Sequence, residues 1–216
     1  MSMLKDHSSL KVAEFLLQIK AVVIQPKTPF TWASGWLSPM YCDNRKILSY
    51  PLIRTFIRHE FVKKIEEAYG KPDVIAGVAT GGIPIGALVA QEMNLPFIYV
   101  RPKPKGHGLG NQIEGVYEKD QNVVVIEDLI STGSSSLKAV DALRAGGLKV
   151  KGLVAIFSYG FDIAQENFEK SECNYHVLTD YNTLIEQAIK SNLVELSQVE
   201  SLKDWRTNPS TWSPKK

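Results

Sequence analysis

The sequence predicts an α/β protein with a central, mostly parallel sheet flanked by helices. Three observations carry this. Asp73–Ala79, Phe97–Val100, Asn122–Ile126 and Val150–Phe157 are near-continuous apolar, β-branched runs, the mark of strands covered on both faces. Helix-period segments separate several of them, which is the alternation of a parallel sheet. Polar Gly/Ser/Thr loops follow two of the runs, where ligands of such sheets bind.

Taken in order, Leu10, Val12, Ala13, Phe15, Leu16, Leu17 and Ile19 form one broad helix face, with Ser8 or Ser9 as its N-cap. Phe30–Trp32 and Met40–Cys42 read as short strands around the turn-rich stretch 33–39. Leu52–Tyr69 is an amphipathic helix stopped by Gly70 and Pro72. Pro84–Asn94 is the helix after the first core strand, and 134–145 the helix after the third, ending at Gly146-Gly147. Asn182–Lys190 and Leu196–Trp205 read as closing helices that serve packing alone. A length of 216 residues suits one domain, divided as helix and hood over about 1–48, core over about 49–181, and closing helices over about 182–216.

Composition narrows the function class. Lys and Arg number 25 and Asp and Glu 23, a net charge of +2, which argues against a surface built to bind nucleic acid. Isolated Cys42 and Cys173 exclude a disulfide framework. There is no apolar run of about 18 residues to span a membrane. The start MSMLKDHSSLKVAEF lacks the apolar core of a signal peptide, so the expected location is the cytoplasm.

Three loops carry the chemistry. In the first, the strand at 122–126 delivers Glu127 and Asp128, then Leu129, Ile130, Ser131, Thr132, Gly133, Ser134 and Ser135 lead into a helix. Free N–H groups and hydroxyls at a helix N-terminus hold a phosphate monoester by charge-assisted bonds and the helix dipole. Carboxylates just before that nest suit sugar hydroxyls. This segment resembles the phosphoribosyl-diphosphate (PRPP) signature of the type I phosphoribosyltransferases. In the second loop, Thr80, Gly81 and Gly82 expose backbone N–H groups after a strand; in the resembled family this loop faces the diphosphate.

The third loop has no acid between Glu92 and Glu114, while Arg101, Lys103, Lys105 and His107 alternate. Pro102 and Pro104 forbid helix there, so a loop that orders over an anion is expected. Tyr99–Gly108 with Ile113-Glu-Gly115 is similar to the catalytic loop of the orotate phosphoribosyltransferases. Phe30–Arg45 resembles their base-binding hood, and Thr179-Asp-Tyr181 is familiar from their bacterial forms.

The resemblance implies a type I phosphoribosyltransferase fold, Mg2+ as cofactor, and PRPP and orotate as substrates. It also implies a homodimer in which Arg101, Lys105 and His107 reach the neighbouring subunit's substrate. Asp128 joins them as a catalytic residue. Thr80, Gly81, Gly82, Lys103 and the stretch from Glu127 to Ser135 fall on PRPP-binding positions. Ser34, Gly35, Met40, Tyr41 and Ser131 fall on positions that meet the base. No metal ligand is implied beyond Mg2+ held through PRPP near Glu127 and Asp128. Familiar cations are replaced by Ala33, Gly81, Pro102 and Tyr159, with Arg45, Lys46 and Lys103 as candidate substitutes. A purine-type transferase and a PRPP-sensing regulator are the rival functions.

Overall fold

In the computed structural model, residues 7–32, 34–103 and 112–214 are described. α1 (His7–Gln18) packs Val12, Ala13, Leu16 and Leu17 inward, as its period requires. Ser8 and Ser9 lie inside this helix rather than capping it: Ser8 Oγ donates to Glu60, and Ser9 Oγ lies 3.2 Å from Thr179 Oγ1. β1 (Val22–Ile24) follows, then β2 (Phe30–Thr31), β3 (Leu37–Ser38) and β4 (Met40–Cys42). β2 pairs with β3, and β4 pairs back with β1. The two expected hood strands thus belong to different ribbons. Strands of two or three residues are too short to show a period, so β1 and β3 escape sequence reading.

α2 (Pro51–Tyr69) ends at Gly70 as expected and begins one residue earlier than expected, with Pro51 in its first turn. The core sheet comprises β5 (Val74–Val78), β6 (Phe97–Val100), β7 (Ile113–Glu114), β8 (Asn122–Ile130), β9 (Lys149–Ser158) and β10 (Tyr175–Asp180). Their order is β10-β9-β8-β5-β6-β7, all parallel except the β6–β7 pair. Helices α3 (Gly82–Met93), α4 (Ser134–Ala145), α5 (Asp162–Lys170), α6 (Tyr181–Lys190) and α7 (Val199–Thr207) complete the chain. Val124, Ile126 and Val154 face α1, α2 and α3, whereas Val123, Val125 and Leu153 face α4 and α5. This two-sided burial explains the unbroken apolar runs.

Three differences matter for function. β8 does not stop at Ile126: Glu127, Leu129 and Ile130 stay in register with Ala155, Phe157 and Ser158 of β9. The acids therefore stand on a strand end, held more stiffly than a loop would hold them. β10 and α5 add a strand and a helix that the sequence reading lacked. The closing segment splits into a short 3-10 turn (Leu196–Gln198) and α7, and α7 does more than pack. Trp205, wholly buried, donates Nε1–H to Leu37 O at 3.1 Å and so anchors the hood.

Because β6 lies on one side of β5 and β8 on the other, the connections leaving β5 and β8 diverge. The carboxyl ends of these neighbours form the switch point where open α/β sheets bind ligands. Among the described residues, no helix is long and apolar enough to cross a membrane.

Candidate active site

At that switch point lies a cleft of about 300 Å³. One wall is Val78, Ala79, Thr80 and Gly81; the other is Glu127, Asp128, Leu129 and Ser131 to Ser135. The Ala79–Thr80 peptide is cis. Both α3 and α4 begin at this cleft, each behind a glycine and with no side chain capping it. Their first N–H groups have no intrahelical acceptor, so two partial positive charges face one space. Gly133, at φ 79°, makes the left-handed turn into α4, and Phe168 fills the place a Cβ would take. Asn167 of α5 donates to Thr132 O at 2.9 Å and fixes the loop from behind.

Gly81 explains one absent lysine. A Cβ built there would lie 2.1 Å from Asp128 Oδ2, so the space for a side chain is already filled by the carboxylate. Asp128 is held from its other side, where the buried Asn44 donates Nδ2–H to its carbonyl at 2.6 Å. Asn44 Oδ1 in turn accepts from Cys42 Sγ at 3.4 Å, which ties the hood to the acid. Burial first, then the charge of Asp128, pushes the Cys42 thiol far up, so it stays neutral.

Glu127 is only 4% exposed. Its Oε2 accepts from Ser136 Oγ at 2.9 Å and its Oε1 from Asp128 N–H at 3.0 Å. Burial, followed by the charge of Asp128, raises its pKa well above the ordinary carboxylate value. The two acids thus differ in their surroundings: Asp128 is half-buried on the cleft wall, whereas Glu127 is buried and holds its proton more tightly than an ordinary carboxylate. Folded protein binds that proton better than the unfolded chain, so the associated stability is complete below the usual carboxylate range. It is lost as pH rises toward the raised value. Glu127→Gln is therefore expected to flatten the dependence of melting temperature on pH above the usual carboxylate range. A slope equal to that of the parent would clear Glu127 of this role.

A second cavity of about 290 Å³ adjoins the first, lined by Thr31, Trp32, Tyr41, Cys42, Leu129, Ser131 and Tyr159. Leu129 and Ser131 belong to both walls. The floor is aromatic: Tyr159 stacks on Phe161 at 5.4 Å and 14°, with Trp32 at 5.1 Å and Trp205 at 5.6 Å from the Tyr159 ring.

The expected site residues divide as follows. Thr80, Gly81, Glu127, Asp128, Leu129, Ser131, Thr132, Gly133, Ser134 and Ser135 converge on the cleft, and Tyr41 joins Ser131 on the second cavity. Ile130 and Gly82 are buried behind the walls, because β8 and α3 need those positions for packing. Ser34 and Gly35 occupy the turn between β2 and β3, outside both cavities; Gly35 N–H bonds Trp32 O at 2.8 Å. Met40 is fully buried. Arg101 stands at the mouth of the β6–β7 connection with Nη1 3.6 Å from Glu114 Oε1, and Lys103 is exposed; neither lines the cleft. Lys105 and His107, like Ala33, lie outside the described residues. Of the candidate substitute cations, Arg45 is engaged by Asp43 at 2.7 Å and Lys46 by Lys20 O at 2.8 Å. Sequence reading missed Asn44, Asn167 and Trp32: their roles arise from contacts across 35 or more residues, which no local pattern encodes.

The comparisons agree with this geometry. A family model for the phosphoribosyl transferase domain matches residues 44–192. An orotate phosphoribosyltransferase of Porphyromonas gingivalis is 52% identical over 201 residues, covering 93% of this chain and 96% of that protein. Among solved structures, orotate phosphoribosyltransferase from Aeropyrum pernix is 28% identical at TM-score 0.74, covering 85% of this chain and 99% of that one. UMP synthase of Leishmania donovani is 30% identical at TM-score 0.77, over 92% of this chain and 42% of that one. On the family model and these relatives, the chain belongs to the phosphoribosyltransferase family, among the orotate phosphoribosyltransferases.

Proposed function

We propose that this chain transfers the phosphoribosyl group of PRPP to N1 of orotate, giving orotidine 5′-monophosphate and diphosphate. The observation that carries the reading is the shared wall at Leu129 and Ser131, which sets an aromatic cavity for a flat base against a cleft for phosphate. N1 forms its bond to the anomeric carbon as the bond to diphosphate breaks, so no protein nucleophile is required. The work left to the protein is positioning and charge stabilisation.

In this mechanism the 5-phosphate rests on Ser131–Ser135 at the start of α4, and the diphosphate on the Thr80–Gly81 turn at the start of α3. Asp128 accepts from ribose hydroxyls. Arg101, Lys105 and His107, brought by the loop of a second subunit in a homodimer, neutralise the departing diphosphate. Among the described residues no three His, Cys, Asp or Glu gather where they could hold a metal. Asp128, on the cleft wall, is the residue that would stand beside a Mg2+ brought in with the phosphates. When bound, the ion supplies positive charge to the leaving group. This chemistry belongs in the cytoplasm.

Mixing the protein with PRPP, magnesium and orotate is expected to remove orotate absorbance, while adenine and hypoxanthine remain unconsumed. Folded protein that leaves orotate untouched would end this reading, and consumption of a purine instead would favour the purine-type alternative.

A further inference from the structure

Asn44 opens the 3-10 turn Asn44–Ser49 and is 2% exposed, a polar side chain buried at the join between hood and core. β5 pairs with β8 only as far as Ile126. Beyond that point Asp128 O takes its hydrogen bond from Asn44 Nδ2–H, at 2.6 Å. A carbonyl can only accept, so the amide must turn its nitrogen toward Asp128. Its Oδ1 is left facing Cys42, whose thiol donates to it at 3.4 Å. Two bonds thus run from the aromatic cavity, which Cys42 lines, to the cleft, which Asp128 lines. Asn44 is also fixed through the chain on its hood side. The Asp43 carboxylate accepts from Arg45 N–H at 3.3 Å and Nε–H at 2.7 Å, and Asp43 N–H bonds Ala21 O at 2.8 Å.

We infer that Asn44 is a positioning residue for the transfer: it fixes Asp128, and so the sugar held in the cleft, in register with the base held beneath the hood. This rests on the transferase reading above. The reaction joins an atom in one cavity to an atom in the other, and a misplacement of about 1 Å between them costs about 10²-fold in rate. Leu129 and Ser131 give the two cavities a common wall, but Thr31, Trp32, Tyr41 and Cys42, on the other side of the aromatic cavity, belong to the hood. Trp205 tethers that hood at Leu37. Asn44 tethers its other end, directly at the acid, across 84 positions of sequence. An error of registry leaves each substrate bound and penalises the step in which they meet. Asn44 therefore weighs on turnover far more than on affinity.

Asn44→Ala removes both bonds. Its kcat is expected to fall about 30-fold, while the KM for orotate, the KM for PRPP and the calorimetric dissociation constant of PRPP with magnesium each stay within about threefold. In an Asp128→Asn background the same substitution should lower kcat by no more than about a further threefold, because the carboxylate it places is already gone. An unchanged kcat, a rise in either KM that accounts for the whole loss, or losses that multiply in the double variant would overturn the assignment. Should Asn44→Ala not fold, Asn44→Ser, which keeps a polar group there with a shorter reach, is held to the same split. The two readings fail separately: inactive wild-type protein sinks the transferase, whereas active wild-type with an indifferent Asn44→Ala sinks only this role.

Discussion

Gly81→Ala protein is expected to melt within about 3 °C of the parent yet to retain no more than about 1% of its turnover number. The added methyl would lie 2.1 Å from Asp128 Oδ2 and 2.2 Å from Cγ, so the carboxylate must swing away. An aspartate side chain turns at little cost to the fold, but Asp128 leaves the position from which, in the proposed mechanism, it would meet the ribose. The neighbouring glycine provides the contrast. At Gly82 a Cβ would meet Ile126 O at 2.3 Å, a backbone atom inside β8 that cannot step aside. Gly82→Ala should therefore cost on the order of 3 kcal/mol and lower the melting temperature by roughly 6–12 °C. Paired melts and turnover numbers decide the matter. Full activity in Gly81→Ala would remove Asp128 from the reaction.

Lys105→Ala is expected to lower kcat by about 10²–10³-fold while changing the KM for PRPP less than about fivefold. The segment that carries Lys105 starts and returns at one point: Arg101 N–H bonds Gln112 O at 2.9 Å, and Gln112 Nε2–H bonds Arg101 O at 2.9 Å. If that segment carries Lys105 to the departing diphosphate, its loss would weigh on the chemical step more than on binding. Unchanged turnover would exclude Lys105 from the chemistry. Mixing Lys105→Ala with Asp128→Asn tests where the loop acts. Heterodimers should regain one working site if it crosses to the partner, and none if it serves its own subunit.

Much of the cleft between β5 and β8 was legible in the sequence because its parts are contiguous. Thr80-Gly81-Gly82 and Glu127 to Ser135 each form one strand-to-helix turn, and local chemistry suffices to read them. The unequal roles of Glu127 and Asp128 were not legible, since they depend on Ser136 lying one helical turn into α4 and on Gly81 lying in another loop. The base cavity was harder still. Ser34 and Gly35 look like hood contacts in sequence but sit in an exposed turn, while Trp32 and Tyr159 form the wall through ring packing between chain-distant segments. Ile130 follows the acids in the motif, yet strand alternation turns it into the core.

The bond from Trp205 to Leu37 spans 168 positions of sequence. During synthesis the cleft between β5 and β8 has all its residues once Ser135 has emerged, but the aromatic cavity must wait for α7. Such a long-range closure is entropically slow and comes late in folding. It also makes the hood and α7 one cooperative opening unit, whose backbone amides should exchange with deuterium together and ahead of β5, β8 and β9. Selectivity for the base would then be the least protected property of the enzyme: a partial opening that releases Trp205 leaves the sugar diphosphate seated and the choice of acceptor relaxed.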